Sequence, residues 1–92
     1  MSAFDILSRT ASEMSDEAVL DIVRPSIAYV LGLDDDEVVP EASLEDDLGC
    51  DEIDFKEMMI KIYHDAGYQT PPEEDYKIHT VADLVHMIKR YN

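Results

Sequence analysis

Acidic side chains and a single thiol lie close together in the middle of this chain, between residues 47 and 57. Cys50 is the only cysteine, and it is followed by Asp51, the expected N-cap of a helix predicted to start at Glu52. A helix N-terminus lowers the pKa of a nearby thiol, which would favour a reactive thiolate able to carry a thioester. The surrounding carboxylates act in the opposite direction, because they disfavour a further negative charge. We therefore expect Cys50 to be a small residue packed into a loop.

Position 52 falls in the first turn of that predicted helix. Asp51 is a good N-cap residue, and Asp54 follows three residues later, as the acid of a capping box does. A carboxylate at Glu52 is stabilised by the free N–H groups and the helix dipole, by roughly 0.3–1 kcal/mol when exposed. The simplest interpretation is that Glu52 favours the helix. A second interpretation is that basic groups of a partner protein dock on its carboxylate.

No other set of residues has the spacing of a catalytic or metal site. His64, His79 and His86 lack the spacing of zinc ligands and have no set of cysteines beside them. The acidic run at 34–37 lacks the alternating ligands and central glycine of a calcium-binding loop, so a solvated loop or a short helical start is expected there. We therefore predict no enzyme activity, no catalytic residue and no metal.

The composition limits the partners that the chain can have. It has 22 acidic and 7 basic residues among 92, which gives a net charge of −15. So much negative charge argues against nucleic acid and against docking on anionic lipid, and it favours partners with basic surfaces. A single cysteine excludes an internal disulfide, so a cytoplasmic protein is expected. No stretch is apolar enough to insert into a membrane, and a monomer is expected.

Apolar periodicity predicts an all-α fold with three longer helices and one short helix before the last. The longer helices are expected at 16–31, 52–66 and 81–90, and the short one at 73–76. In the first helix, Val19, Ile22, Val23, Ile27, Val30 and Leu31 form the predicted inward stripe. Pro25 predicts a kink or a break there.

Between the first two long helices, a long loop is expected to place Val38, Ala42, Leu44 and Leu48 in the core. We divide the chain into an N-terminal extension at 1–14, either frayed or a short helix, and a domain at 15–92.

The stretch from Asp47 to Asp54 resembles the attachment motif of the acyl carrier proteins, D-L-G-x-D-S-[LI]-D. The resemblance runs without a gap from Asp36 to Ile88 and covers more than half of the chain. It includes Glu37-Val38, Ala42-Ser43, Asp46-Asp47-Leu48-Gly49, Glu57, Pro71, Glu73-Glu74, Lys77-Ile78 and Thr80-Val81. It implies the four-helix bundle of that family and a role in fatty-acid or polyketide biosynthesis.

The same resemblance places Glu52 where the family has the serine that carries phosphopantetheine, so no cofactor is expected. It implies partner docking through Asp47, Asp51, Glu52, Asp54, Lys56 and Glu57. Lys56, Lys61, Tyr63 and His64 differ from the apolar or acidic residues that the family usually has, so partner identity does not carry over. Met58, Met59 and Met87 could line an acyl pocket, although their helical spacing is more typical of core.

These observations support three hypotheses. The first is a non-catalytic carrier-like module that docks on basic partner enzymes without phosphopantetheine. The second is a true carrier, with its serine replaced by engineering or its cargo attached elsewhere, at Cys50 or Ser43. The third is a structural subunit of a larger complex. The docking module predicts salt-sensitive capture of a partner without cargo, and the true carrier predicts covalent cargo. The structural subunit predicts a stoichiometric complex that survives salt.

Overall fold

Three α-helices form the domain in a computed structural model that describes residues 10–69 and 78–92. They are α1 (Asp16–Leu31), α2 (Glu52–Ala66) and α3 (Val81–Tyr91). Two 3₁₀ helices, Ala11–Glu13 and Asp35–Glu37, precede and follow α1. The described ranges contain no strand, only one isolated antiparallel bridge. The predicted all-α fold class is therefore confirmed.

The predicted ends of α1 are confirmed, because both carry clear local signals. The Ser15 hydroxyl accepts the N–H of Ala18 at 3.1 Å, which satisfies one of the free donors of the first turn. Gly32 ends the helix with φ +69°, a left-handed conformation that glycine adopts without steric cost. At the start of α3, Thr80 and Asp83 form a complete capping box. That box fixes the beginning of the last helix.

The helix α1 continues through Pro25, so of the two predicted outcomes, a kink or a break, the break is wrong. Proline cannot donate a hydrogen bond to the carbonyl of Asp21, which costs ~3 kcal/mol in a helix interior. Asp21 and Pro25 are both exposed, so water can hydrate that carbonyl. Val23 and Ile27, before and after the proline, are 1% and 0% exposed. Burial of each such side chain contributes about 1.5–3 kcal/mol, which offsets the missing hydrogen bond.

The buried stripe of α1 also differs from the prediction at three positions. Ile22 is 41% exposed, whereas Leu20 and Ala28, which the predicted stripe omitted, are each 3% exposed. The helix packs against both α2 and α3, so its buried surface is broader than a single stripe and is displaced around the helix. Ile22 consequently lies at the edge of the core.

Backbone hydrogen bonds join the loop between α1 and α2 to the start of α3. The N–H of Leu44 donates to the carbonyl of His79 at 2.8 Å, and the N–H of Val81 donates to the carbonyl of Ala42 at 3.1 Å. The residues predicted to insert from this loop into the core are all buried: Val38, Ala42, Leu44 and Leu48. The loop is therefore a packed part of the domain that positions the start of α2.

Two predicted segments lie partly or wholly outside the described residues. From the predicted extension at 1–14, the structure describes residues 10–14, which include the first 3₁₀ helix. Ala11 in that helix is fully buried and packs on α3. The short helix predicted at 73–76 lies outside the described ranges.

Candidate functional site

Hydrogen bonds to the backbone and side chain of Ser43 hold the turn that leads into α2. The N–H groups of Asp47 and Leu48 both donate to the Ser43 carbonyl, at 3.0 and 3.1 Å. The Ser43 hydroxyl accepts the N–H of Asp46 at 3.1 Å, and Asp47 Oδ2 accepts the N–H of Ser43 at 2.8 Å. Gly49 then turns the chain with φ +69°, a conformation that costs other residues ~1–2 kcal/mol. These contacts determine where α2 begins.

Two carboxylates then cap the first turn of α2 through reciprocal hydrogen bonds. Asp51 Oδ1 accepts the N–H of Asp54 at 2.7 Å, and Asp54 Oδ2 accepts the N–H of Asp51 at 3.3 Å. The predicted capping box is therefore present. Asp47, Asp51 and Asp54, all predicted to dock a partner, thus also build the local backbone. Asp47 and Asp51 remain exposed, and Asp54 is half-buried.

Glu52 and Glu57 are placed differently from those three acids. Glu52 is the first residue of α2, Glu57 lies more than one turn later, and both are exposed. Within the described ranges neither carboxylate has a hydrogen bond or an ion pair. Lys56 is exposed beside Glu57. The predicted docking residues therefore share one end of the bundle, here called the docking face: Asp47, Asp51, Glu52, Asp54, Lys56 and Glu57.

Cys50 lies just inside the docking face and is 7% exposed. Its S–H donates to the Asp51 carbonyl at 3.6 Å. Burial, with further contributions from the carboxylates of Asp54 and Asp51, raises the pKa of this thiol to about 11. The thiol is therefore almost wholly protonated at neutral pH. Its burial agrees with the predicted packed cysteine and makes it a poor nucleophile.

A cleft of about 330 Å³ opens beside Glu52. Its lining includes four carboxylates, those of Glu45, Asp46, Asp51 and Glu52, together with the apolar side chains of Leu44, Phe55 and Ile78. Acidic groups in its walls favour a cationic side chain there over a fatty acyl chain. Met58, Met59 and Met87 do not line this cleft; all three are buried in the core.

The order of these features along the chain matches a known family. The sequence profile described as a phosphopantetheine attachment site matches residues 21–88, about three-quarters of the chain. The chain belongs to the phosphopantetheine-carrier family. This confirms the resemblance to acyl carrier proteins. Domains of this family are generally non-catalytic, carry out carrier-type roles and interact with partner enzymes.

Phosphopantetheine does not fit the carrier site as this chain builds it. Attachment needs a hydroxyl oxygen that can form a phosphodiester, and position 52 has a carboxylate. The two alternative positions lack the surroundings of an attachment site. The Ser43 hydroxyl is engaged as the acceptor for Asp46 within a tight turn. Cys50 is buried and protonated.

Three apolar residues of α2 are exposed, and two of them, Ile53 and Ile60, were not singled out from the sequence. Ile53, Ile60 and Tyr63 are 68%, 59% and 53% exposed. Ile53 and Ile60 are seven residues apart, which places them on one side of the helix, opposite the buried Met58, Met59 and Ile62. That spacing was available as a signal, because both isoleucines fall outside the inward stripe.

His86 and the acidic run at 34–37 make contacts within the fold. In the described parts of the chain, no group of three His, Cys, Asp or Glu side chains is arranged to hold a metal ion. The acidic run forms a 3₁₀ helix, in which Glu37 accepts the N–H of Asp34 at 2.8 Å. His86 contacts Asp16 at 2.9 Å, and Lys89 contacts the same carboxylate at 2.7 Å. Among the helices described, none is both long enough and apolar enough to cross a bilayer.

Proposed function

We propose that this chain is a carrier-like, non-catalytic binding module that docks on basic partner enzymes through its docking face and carries no phosphopantetheine. The observation that carries the proposal is Glu52. It stands at the first position of α2, exposed, where the carrier motif requires a serine. The protein keeps the fold of a carrier and offers partners a negative charge in place of the attachment oxygen.

Electrostatics supports docking on a basic surface. Residues 34–57 contain twelve of the 22 acidic residues and one basic residue, Lys56. Such a concentration of charge steers a cationic partner and makes association sensitive to salt. The carboxylates of Glu52 and Glu57 point into solvent, so a partner can reach them without disturbing the fold. A cytoplasmic setting and partners from fatty-acid or polyketide pathways are part of this proposal.

The competing hypothesis of a true carrier needs either a serine at position 52 that was replaced by engineering or a different attachment atom. The hydroxyl of Ser43, which accepts the N–H of Asp46, and the buried thiol of Cys50 argue against a different attachment atom. The hypothesis of a structural subunit needs an interface that survives high salt, whereas the acids of the docking face predict binding that weakens as salt is added.

A phosphopantetheinyl transferase provides a direct test, because it is a partner enzyme that must recognise this face of a carrier. We expect the wild-type chain to inhibit the modification of a serine-bearing acyl carrier protein competitively. The double variant Glu52→Gln, Glu57→Gln should inhibit roughly tenfold less well, since each exposed charge contributes up to about 1 kcal/mol. Raising the NaCl concentration from 50 to 500 mM should weaken the wild-type inhibition by a larger factor than that of the variant.

The matched control is Asp35→Asn, Asp36→Asn, which removes the same charge from the exposed 3₁₀ helix. It should inhibit nearly as well as the wild type. Equal losses in the two double variants would show that only net charge matters and would contradict docking through this face. Absence of inhibition by the folded wild-type chain would contradict the proposal as a whole.

A further inference from the structure

The segment 43–49, which precedes α2, is a hydrogen-bonded turn with its own caps, here called the capped turn. The Ser43 hydroxyl accepts the N–H of Asp46, and Asp47 Oδ2 accepts the N–H of Ser43, so each end of the pair satisfies a backbone donor, as in a capping box. The N–H of Asp47 donates to the Ser43 carbonyl four residues earlier, as in one turn of an α-helix. Gly49 ends the turn in the left-handed conformation.

Backbone hydrogen bonds join the capped turn to the starts of both α2 and α3. The N–H of Cys50, directly before the N-cap of α2, donates to the Leu44 carbonyl at 2.7 Å. The N–H of Leu44 donates to the carbonyl of His79, directly before the N-cap of α3. A displacement of the capped turn therefore changes its position relative to the first residues of both helices.

The capped turn forms one wall of the cleft beside Glu52. Glu45 and Asp46 line the cleft from this wall, whereas Asp51 and Glu52 line it from the start of α2. Carboxylates on opposite sides of one small cleft repel one another. This repulsion acts to move the wall away from Glu52, and the hydrogen bonds of the capped turn oppose it.

Asp47 holds this wall although its own side chain does not line the cleft. The side chain reaches back along the capped turn, where Oδ2 accepts the N–H of Ser43 at 2.8 Å. A hydrogen bond to a charged acceptor is stronger than one between neutral groups. The carboxylate of Asp47 is thus used to fix the backbone that carries Glu45 and Asp46.

We infer that Asp47 is a positioning residue for docking, which holds Glu45 and Asp46 opposite Glu52 and does not contact the partner through its own charge. The inference rests on the proposed docking function and gives Asp47 a different role from the direct contact expected from the sequence. A cationic group of the partner then binds between the two walls of the cleft. Loss of the hydrogen bond at Asp47 leaves the carboxylates of the cleft in the chain but separates them.

The thiol of Cys50 reports on the capped turn without any partner, because its N–H is bonded to that turn and its side chain is 7% exposed. Iodoacetamide reaches it when the turn opens. Asp47→Ala should raise the alkylation rate at pH 8 at least about fivefold, as expected for the loss of one hydrogen bond. Asp47→Asn should stay within about twofold of the wild type, since the amide oxygen accepts the same bond. The matched control is Glu37→Ala, which removes an acid that accepts the N–H of Asp34 in the exposed 3₁₀ helix, and it should behave like Asp47→Asn.

Competitive inhibition of the phosphopantetheinyl transferase by the same variants measures the effect on docking. Inhibition is compared per folded molecule, at a temperature where circular dichroism shows equal helix content. Asp47→Ala should inhibit about fivefold less well than the wild type, because the walls of the cleft are no longer held together. Asp47→Asn should rescue the inhibition, and Glu37→Ala, which loses the same charge, should inhibit as the wild type does. A purely structural role of Asp47 would lower the melting temperature but leave the inhibition by folded Asp47→Ala unchanged.

Three results would overturn the inference. The first is an equal loss of inhibition in Asp47→Asn and Asp47→Ala, which would show that the charge of Asp47 contacts the partner. The second is unchanged inhibition by folded Asp47→Ala. The third is an unchanged alkylation rate of Cys50 in Asp47→Ala, which counts whether or not the wild-type chain inhibits the transferase. Absence of inhibition by the wild type, in contrast, contradicts the docking proposal itself.

Discussion

Substitutions at Asp51, the N-cap of α2, separate its part in building the helix from the docking role proposed for it. Asp51 Oδ1 accepts the N–H of Asp54 at 2.7 Å, a short bond to a charged acceptor. The reverse bond, from the N–H of Asp51 to Asp54 Oδ2, is 3.3 Å long and lies at the outer limit of useful geometry. The structure therefore predicts that Asp51 stabilises the helix start more than Asp54 does.

The expected size follows from measured caps in other helices. Asp51→Ala should cost about 1 kcal/mol, within a range of roughly 0.5–2 kcal/mol. For a domain of this size, 1 kcal/mol corresponds to a fall of about 4–8 °C in melting temperature. Asp54→Ala should cost less than half as much. Asp51→Asn should keep the stability, because asparagine caps about as well as aspartate, while it removes one charge from the docking face.

Thermal unfolding followed by circular dichroism at 222 nm checks all three variants under one condition. The expected order of melting temperature is wild type close to Asp51→Asn, then Asp54→Ala, then Asp51→Ala. A melting temperature of Asp51→Ala equal to that of the wild type would refute the capping argument. A loss in Asp51→Asn as large as that in Asp51→Ala would show that charge, not the hydrogen bond, stabilises this turn.

Three further predictions concern other parts of the fold. Pro25→Ala should raise the stability by about 1–2 kcal/mol in urea unfolding, since the regained helix hydrogen bond outweighs the greater entropy of the unfolded chain. The N–H groups of His79 and Thr80 donate to the Asp83 carboxylate and lower its pKa below the ordinary value of 3.8. The ionised carboxylate therefore contributes its full stabilisation above pH 3.8, and this stabilisation is lost as the pH falls through the lowered pKa. Asp83→Asn should therefore flatten the decline of the urea midpoint between pH 5 and 2. With a pKa of about 11 against an ordinary 9.0, Cys50 should react with iodoacetamide about 100-fold more slowly at pH 8 in the folded than in the unfolded chain.

The helix limits could be predicted because their signals are local. Ser15, Asp51 and Thr80 stand directly before the first residues of the three helices, and Gly32 and Gly67 stand directly after the ends of α1 and α2. Each signal acts within one turn of the helix, so it needs no knowledge of the tertiary structure. The loop residues that enter the core could also be predicted, because isolated apolar residues in an acidic stretch have few alternatives to burial.

The outcome at Pro25 and Ile22 depended on packing that no local pattern contains. Helix propensity predicts a kink or a break at Pro25, but the contacts of α1 with α2 and α3 stabilise a continuous helix on both sides of it. The exposure of Ile22 follows from the direction in which those two helices approach. The Ser26–Asp65 pair joins residues 39 positions apart and could not be found by spacing.

For the candidate site, the resemblance supplied the positions and the structure supplied their surroundings. The sequence could place Glu52 at the start of a helix, because Asp51 is a recognisable cap. It could not show that the carboxylates of Asp47, Asp51 and Asp54 accept hydrogen bonds from backbone N–H groups. The carboxylates of Glu52 and Glu57 accept no such bond within the described residues. That division makes Glu52 and Glu57 the better positions at which to test docking.

We propose that this chain has the scaffold of a carrier but no atom that holds the carrier's arm. The most direct test is the intact mass of wild type and Glu52→Ser after incubation with coenzyme A and a broad-specificity phosphopantetheinyl transferase. We expect no change in the wild type and a gain of one phosphopantetheine in Glu52→Ser. A gain of one phosphopantetheine by the wild type would contradict it and would show that the arm is attached away from position 52.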